Sequence, residues 1–66
     1  MKATINGDVR ELPDEITIGA LLDLLGSPAA GIAVARNERV VRRAEYEVDR
    51  VAEGDRIEII RAVAGG

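Results

Sequence analysis

The chain has 66 residues, no cysteine, no histidine and a net charge of −3. A single domain of that length hides only about 60% of the surface its unfolded form exposes, and without Cys or His it has no disulfides, thiolate or imidazole metal site, Cys nucleophile or Ser-His-Asp triad. The acidic balance argues against nucleic acid as a partner, no apolar run approaches a membrane span, and Met1 to Asp8 lack the layout of a secretory signal, so the expectation is a soluble cytoplasmic protein.

Lys2 to Ile5 reads as a short strand. Asn6-Gly7 follows, a hairpin signal because both positions tolerate positive φ. Val9 to Leu12 is the expected returning strand, and Pro13 breaks it. Between Thr17 and Gly26, Ile18, Leu21, Leu22 and Leu25 recur at helical spacing as one apolar stripe. Thr17 is the expected N-cap. Gly26 suits the left-handed C-terminal position, and Pro28 prevents the helix from resuming. Gly19 weakens the first turn, so its presence predicts close packing against a strand. Ile32 to Arg36 forms the next strand, Asn37-Glu38 a turn, and Arg39 to Arg42 the strand that pairs back. Ala44 to Val51 is less regular and carries the only aromatic residue, Tyr46. Glu53-Gly54-Asp55 reads as a turn with glycine at positive φ, and Arg56 to Arg61 as the last strand.

One helix cannot bury its stripe alone, so it lies across one face of a mixed sheet. A hairpin before the helix and a last strand returning to the centre make the α+β arrangement a β-grasp, with four to five strands on one helix. Residues 1–61 form that domain and residues 62–66 a flexible C-terminal tail. Alternation turns Ile57 and Ile59 toward the helix and Arg56, Glu58 and Ile60 outward. Ile60, just before the tail, becomes a candidate docking contact.

The sequence resembles the ThiS family of ubiquitin-like proteins, the sulfur carriers of thiamine biosynthesis. The likeness covers nearly the whole chain. It rests on Asn6-Gly7, on Thr17-Ile18 and Leu21-Leu22, and on Ala33 to Asn37 with Val40-Val41. It continues through Glu53 to Ile60 and the ending Val63-Ala64-Gly65-Gly66. Two departures are Tyr46, where the family often has tryptophan, and the absence of phenylalanine, which thins the aromatic part of a partner surface.

The resemblance implies a ubiquitin-like fold and a protein that is acted on by enzymes without being one. An adenylating enzyme of the ubiquitin-activating type would use ATP to activate the Gly66 carboxylate. A persulfide, supplied by a cysteine desulfurase or another donor, would convert the acyl-adenylate to a thiocarboxylate, and a thiazole synthase would accept the sulfur. Such activation splits one difficult transfer into easier steps. Gly65, Ala64 and Val63 would thread the partner's active site, where glycines without Cβ atoms fit a narrow channel. The carrier would bind no cofactor and no metal, and would be a monomer when free. Other readings are the small subunit of molybdopterin synthase, whose chains are usually longer, a protein modifier joined to lysine through Gly66, and a binding module with an inert tail.

Three further features have plainer readings. Arg36, Arg39, Arg42 and Arg43 fall close together with only Glu38 against them. They form either a solvated strand face or a patch, with Arg36 and Arg42 as candidate contacts, that docks on an acidic partner. Gly26 to Gly31 has the glycine spacing of a phosphate loop, but Ile32 and Ala33 stand where Lys and Ser or Thr are required, and Ser27 has no base beside it. Asp49, Glu53 and Asp55 lack the ligand spacing of a calcium loop and are expected as solvated carboxylates at a turn.

Overall fold

The computed structural model describes residues 1–28 and 30–61. The expected tail, 62–66, lies outside the described residues. The elements in chain order are β1 (Lys2–Ile5), β2 (Asp8–Glu11), α1 (Ile18–Leu25), β3 (Ile32–Arg36), β4 (Arg39–Val41), a 3-10 turn (Arg43–Glu45) and β5 (Arg56–Arg61). The strands form one five-stranded sheet in the order β2-β1-β5-β3-β4. The last strand in sequence is therefore the middle strand in space. It runs parallel to β1, with Ile5 opposite Ile57, and antiparallel to β3, with Val34 opposite Ile59. This is the expected β-grasp.

Both hairpins turn through two residues at positive φ: Asn6 and Gly7 at 50° and 88°, Asn37 and Glu38 at 53° and 70°. Those signs match the right-handed twist of the strands they join. The returning strand β2 starts one residue earlier than expected and is exposed throughout. Leu12, just past it, turns into the core instead. The two sheet edges are short or charged, which discourages pairing with other chains.

Helix α1 has the expected caps. The Thr17 hydroxyl accepts from the Ala20 N–H at 3.1 Å, and Gly26 closes the helix at φ 70°. Ile18, Leu21 and Leu22 are essentially inaccessible and meet Ile5, Val34, Val41 and Ile57 from the sheet. Ile57 is buried, Ile59 half-buried and Ile60 exposed, the alternation expected of a strand with one covered face.

Gly19 has a different neighbour from the expected strand. Its N–H donates to the Tyr46 carbonyl at 2.9 Å, and the Ile18 N–H donates to the Asp49 carbonyl at 3.0 Å. With Thr17 serving Ala20, the first three helical N–H groups, which have no partner within the helix, are all bonded. The irregular crossing, 46–51, thus caps the helix while Tyr46 and Val51 close the end of the core. A Cβ at position 19 would stand 2.9 Å from the Glu47 Oε2 and 3.4 Å from the Tyr46 oxygen. The first is the tip of a mobile side chain and the second is backbone.

A polar network ties this crossing to the start of β5. Arg36 donates from Nη2 to Asp49 Oδ1 at 3.0 Å, from Nε to Asp49 Oδ2 at 3.4 Å and from Nη1 to Asp55 Oδ2 at 3.1 Å. Asp55 also accepts from the Ala52 N–H at 2.7 Å and from Asn37 Nδ2 at 3.0 Å. The carboxylates expected to be solvated are therefore not: Asp55 is buried, Asp49 half-buried, and only Glu53 is exposed. The cause is Arg36, which reaches both from the end of β3. Burial by itself would raise the Asp55 carboxyl, but bonds from Asn37, the Ala52 N–H and Arg36 outweigh it and hold the group below its usual value.

Two expectations follow. Gly19→Ala gains helix propensity and needs only Glu47 to swing away, so urea unfolding will show it unchanged or more stable by up to about 1 kcal/mol, whereas Gly19→Leu will be less stable than wild type. The depressed Asp55 favours the fold while ionised, so its contribution is complete above the unfolded value near 3.8 and is lost as pH falls through the lower folded value. Asp55→Asn will cost about 1–3 kcal/mol at neutral pH. Its unfolding free energy, followed by circular dichroism, will then decline less on acidification below pH 3.8 than that of wild type.

Candidate functional site

The end of β5 is the last described part of the chain before the residues singled out in the sequence. Ile60 and Arg61 are still in register with Ala33 and Ile32 of β3, so on that side the strand is held to its last described residue. On the β1 side the ladder has less to offer. The Thr4 N–H donates to the Asp55 carbonyl and the Asn6 N–H to the Ile57 carbonyl, both at 2.9 Å. Beyond Asn6 the hairpin turns back, and no main-chain group of β1 remains for Ile59. The Asn6 side chain takes that place. Its Oδ1 accepts from the Ile59 N–H at 2.8 Å and its Nδ2 donates to the Ile59 carbonyl at 3.3 Å.

Asn37 does the same at the other end of the strand. Its Oδ1 accepts from the Arg56 N–H at 2.9 Å, and its own N–H donates to the Arg56 carbonyl at 2.7 Å. Each two-residue turn thus places an asparagine in its first left-handed position and spends the amide on β5. Sequence reasoning saw both turns but neither contact. The available signal was Asn37-Glu38, a turn that uses two non-glycine residues at positive φ where glycine is the easier second residue.

Ile60 is 61% exposed on the sheet face opposite the helix, beside Ala33. Val40, 69% exposed, lies on the same face opposite Ala35. The face therefore carries separated apolar side chains among Arg56, Glu58 and Lys2. Ile60 stands where the sequence placed it, at the surface next to the exit of the chain.

The four clustered arginines separate. Arg36 is half-buried and committed to Asp49 and Asp55, so its charge is used inside the molecule. Arg39, Arg42 and Arg43 are exposed, and among the described residues none of them forms an ion pair. Of the two arginines proposed as contacts, Arg42 is accessible and Arg36 is structural. Nothing in the spacing of the four distinguished them; the difference is that Arg36 lies in the strand opposite Ile57, within reach of the crossing.

Val63, Ala64, Gly65 and Gly66 lie outside the described residues. Among the described residues there is no group of three or more His, Cys, Asp or Glu side chains placed to hold a metal, and no helix long and apolar enough to cross a membrane. Ser27 lies beyond the helix, its N–H donating to the Leu22 carbonyl at 2.9 Å as part of the C-terminal cap.

Comparison with known proteins extends the same picture. The chain aligns with thiazole synthases from Paramagnetospirillum magneticum, at 38% identity, and Magnetococcus marinus, at 35%. Both matches take in all 66 residues, which span only about one fifth of either relative. The crystal structure of the thiamine biosynthesis protein ThiS from Geobacter metallireducens superposes over the whole of both chains with a TM-score of 0.87 and 26% identity. The solution structure of the Geobacter protein gives 0.82, covering all of this chain and 88% of that one. SAMP1 from Haloferax volcanii, at 19% identity and a TM-score of 0.60 over 98% of this chain and 97% of its own, shares the fold. The family model that describes ThiS proteins matches residues 3–66. With sheet order, helix and sequence in agreement over nearly its whole length, the chain belongs to the ThiS family.

Proposed function

We propose that this protein carries sulfur for the thiazole of thiamine as a thiocarboxylate on Gly66. The observation that carries the reading is membership of the ThiS family across residues 3–66. The names of the relatives favour thiazole as the destination. In two organisms a segment like this whole chain forms about a fifth of a protein named thiazole synthase, which supports such an enzyme as the sulfur acceptor here.

The chemistry needs a carboxyl that can leave its own fold. A carboxylate resists attack because its charge is delocalised and neither oxygen departs readily. Attack of a Gly66 oxygen on the α-phosphorus of ATP, held by an adenylating partner, forms an acyl-adenylate and releases pyrophosphate. The terminal sulfur of a persulfide then adds to the carbonyl carbon and AMP departs. A thiolate cleaves the resulting sulfur–sulfur bond, forming a disulfide and leaving the thiocarboxylate. Thus the carrier is a protein co-substrate: the partners supply the nucleotide, the persulfide and the catalytic groups, in the cytoplasm where ATP is abundant. Its own contribution is position. Gly65 and Gly66 follow a strand paired with β3 through Arg61, and with Ala64 and Val63 they are short enough in side chain to enter a narrow channel. Ile60 and Arg42 are the accessible docking contacts.

The test is complementation. In a strain that lacks its own carrier and requires thiamine, the gene will restore growth, and in a strain that lacks the molybdopterin synthase small subunit it will not. The opposite pattern assigns it to molybdopterin, and accumulation of higher-mass conjugates assigns it to protein modification. Gly65→Ala and a residue added after Gly66 will each reduce rescue by about tenfold or more, with unfolding curves unchanged, because they act at entry to the partner and not on the core.

A further inference from the structure

Ile59 raises a question that the carrier reading leaves open: what holds the end of β5 in place on its β1 side? On the β3 side, register continues through Arg61. On the β1 side, main-chain pairing stops at Ile57, where the Asn6 N–H reaches its carbonyl. The only further hold on that side among the described residues is the Asn6 amide, bonded to both the N–H and the carbonyl of Ile59. A primary amide has the donor and acceptor of a peptide group, so this side chain adds one rung to a parallel ladder after the strand itself has turned away.

We propose that Asn6 is a positioning residue for sulfur transfer, fixing through Ile59 the end of β5 from which the chain continues to Gly66. The inference rests on the carrier reading. Gly66 is the fifth residue beyond Arg61, so the end of β5 is the last described point from which its carboxyl is presented. Without the rung, β5 beyond Ile57 is held on one side only and its end samples a wider range of positions. A partner must then select the productive ones, and the cost appears as weaker apparent binding. Chemistry inside the partner is untouched once the arm is seated.

The turn itself does not need the amide. Glycine takes φ near 50° without strain, and Gly-Gly suits the same turn, so Asn6→Gly removes the rung and keeps the hairpin. Asn37→Gly provides the matching control. It deletes an amide on Arg56 at the far end of β5 and a bond to Asp55 as well, so it disturbs stability more and the exit less.

Two measurements on the full chain test this. Amide hydrogen exchange followed by NMR will show the Ile59 N–H exchanging about tenfold or more faster in Asn6→Gly, with Ile57 unchanged. Initial rates of ATP–pyrophosphate exchange with the cognate adenylating enzyme will show KM for Asn6→Gly raised about three- to tenfold and kcat within about twofold of wild type, and KM for Asn37→Gly close to wild type. Unchanged exchange at Ile59 overturns the proposal whatever the kinetics. A wild-type KM for Asn6→Gly, or an equal rise in both variants, overturns it while leaving the carrier reading intact. A wild-type chain that supports no pyrophosphate exchange with an enzyme active on another carrier overturns the carrier reading, and the kinetic role of Asn6 with it.

Discussion

Everything in this molecule turns on the hold that two hairpins exert on β5. The strand arrives last in sequence and is placed in the middle, so it joins two halves that share no other ladder: β1 with β2 on one side, β3 with β4 on the other. Ile57 is its buried anchor, packed with Leu21, Leu22 and Val34. Each backbone bond contributes only about 1 kcal/mol net, so the strand is secured by number. The two asparagine amides extend that number to both ends. The pairing of Thr4 with Arg56 also spans almost the whole chain. Such long-range contacts carry a loop-closure cost that local ones do not.

The same constraint explains why so small a domain buries Asp55 and half-buries Arg36 and Asp49. Arg36, Asp49, Asp55 and Asn37 meet where the crossing, the β3–β4 turn and the entrance to β5 converge. A hydrophobic plug there would take the acceptor from the part-buried Ala52 N–H, a penalty larger than the net value of the bond itself. The network is satisfied, and among the described residues no buried side-chain nitrogen or oxygen lacks a partner. The helix entrance follows the same rule, closed by Thr17 on one side and the Tyr46 and Asp49 carbonyls on the other.

Local signals carried far in this sequence because the fold is built from strong ones. Asn6-Gly7, Thr17, the apolar stripe of α1 and Gly26 each act within a few residues, and each appears as read. The strands Ile32–Arg36 and Arg56–Arg61 were legible from alternation and flanking turns. Contacts that join distant segments were not. From sequence Gly19 is expected to be a strand contact, yet it faces the Tyr46 carbonyl because the irregular crossing, which has no periodic pattern, runs past the helix entrance. Asp55 looked like any turn carboxylate until the topology brought Arg36 beside it. For Arg36 the sequence offered a charge and a cluster, and only the sheet order reveals that its partners lie inside the chain. The side chains of Asn6 and Asn37 were hidden for the same reason: turn chemistry explains an asparagine there without reference to a third strand.

A carrier divides labour between a body that must not change and a terminus that must be changed. The β-grasp supplies the first through β5, and in the proposed function Gly66 is the second. The most direct measurement is fragment mass spectrometry of the intact protein after incubation with ATP, its adenylating enzyme and a persulfide donor. The account predicts that one oxygen is exchanged for sulfur and that only fragments containing Gly66 carry the change. Sulfur found on any other residue, or a chain left unaltered by an enzyme shown to be active on another carrier, would contradict it.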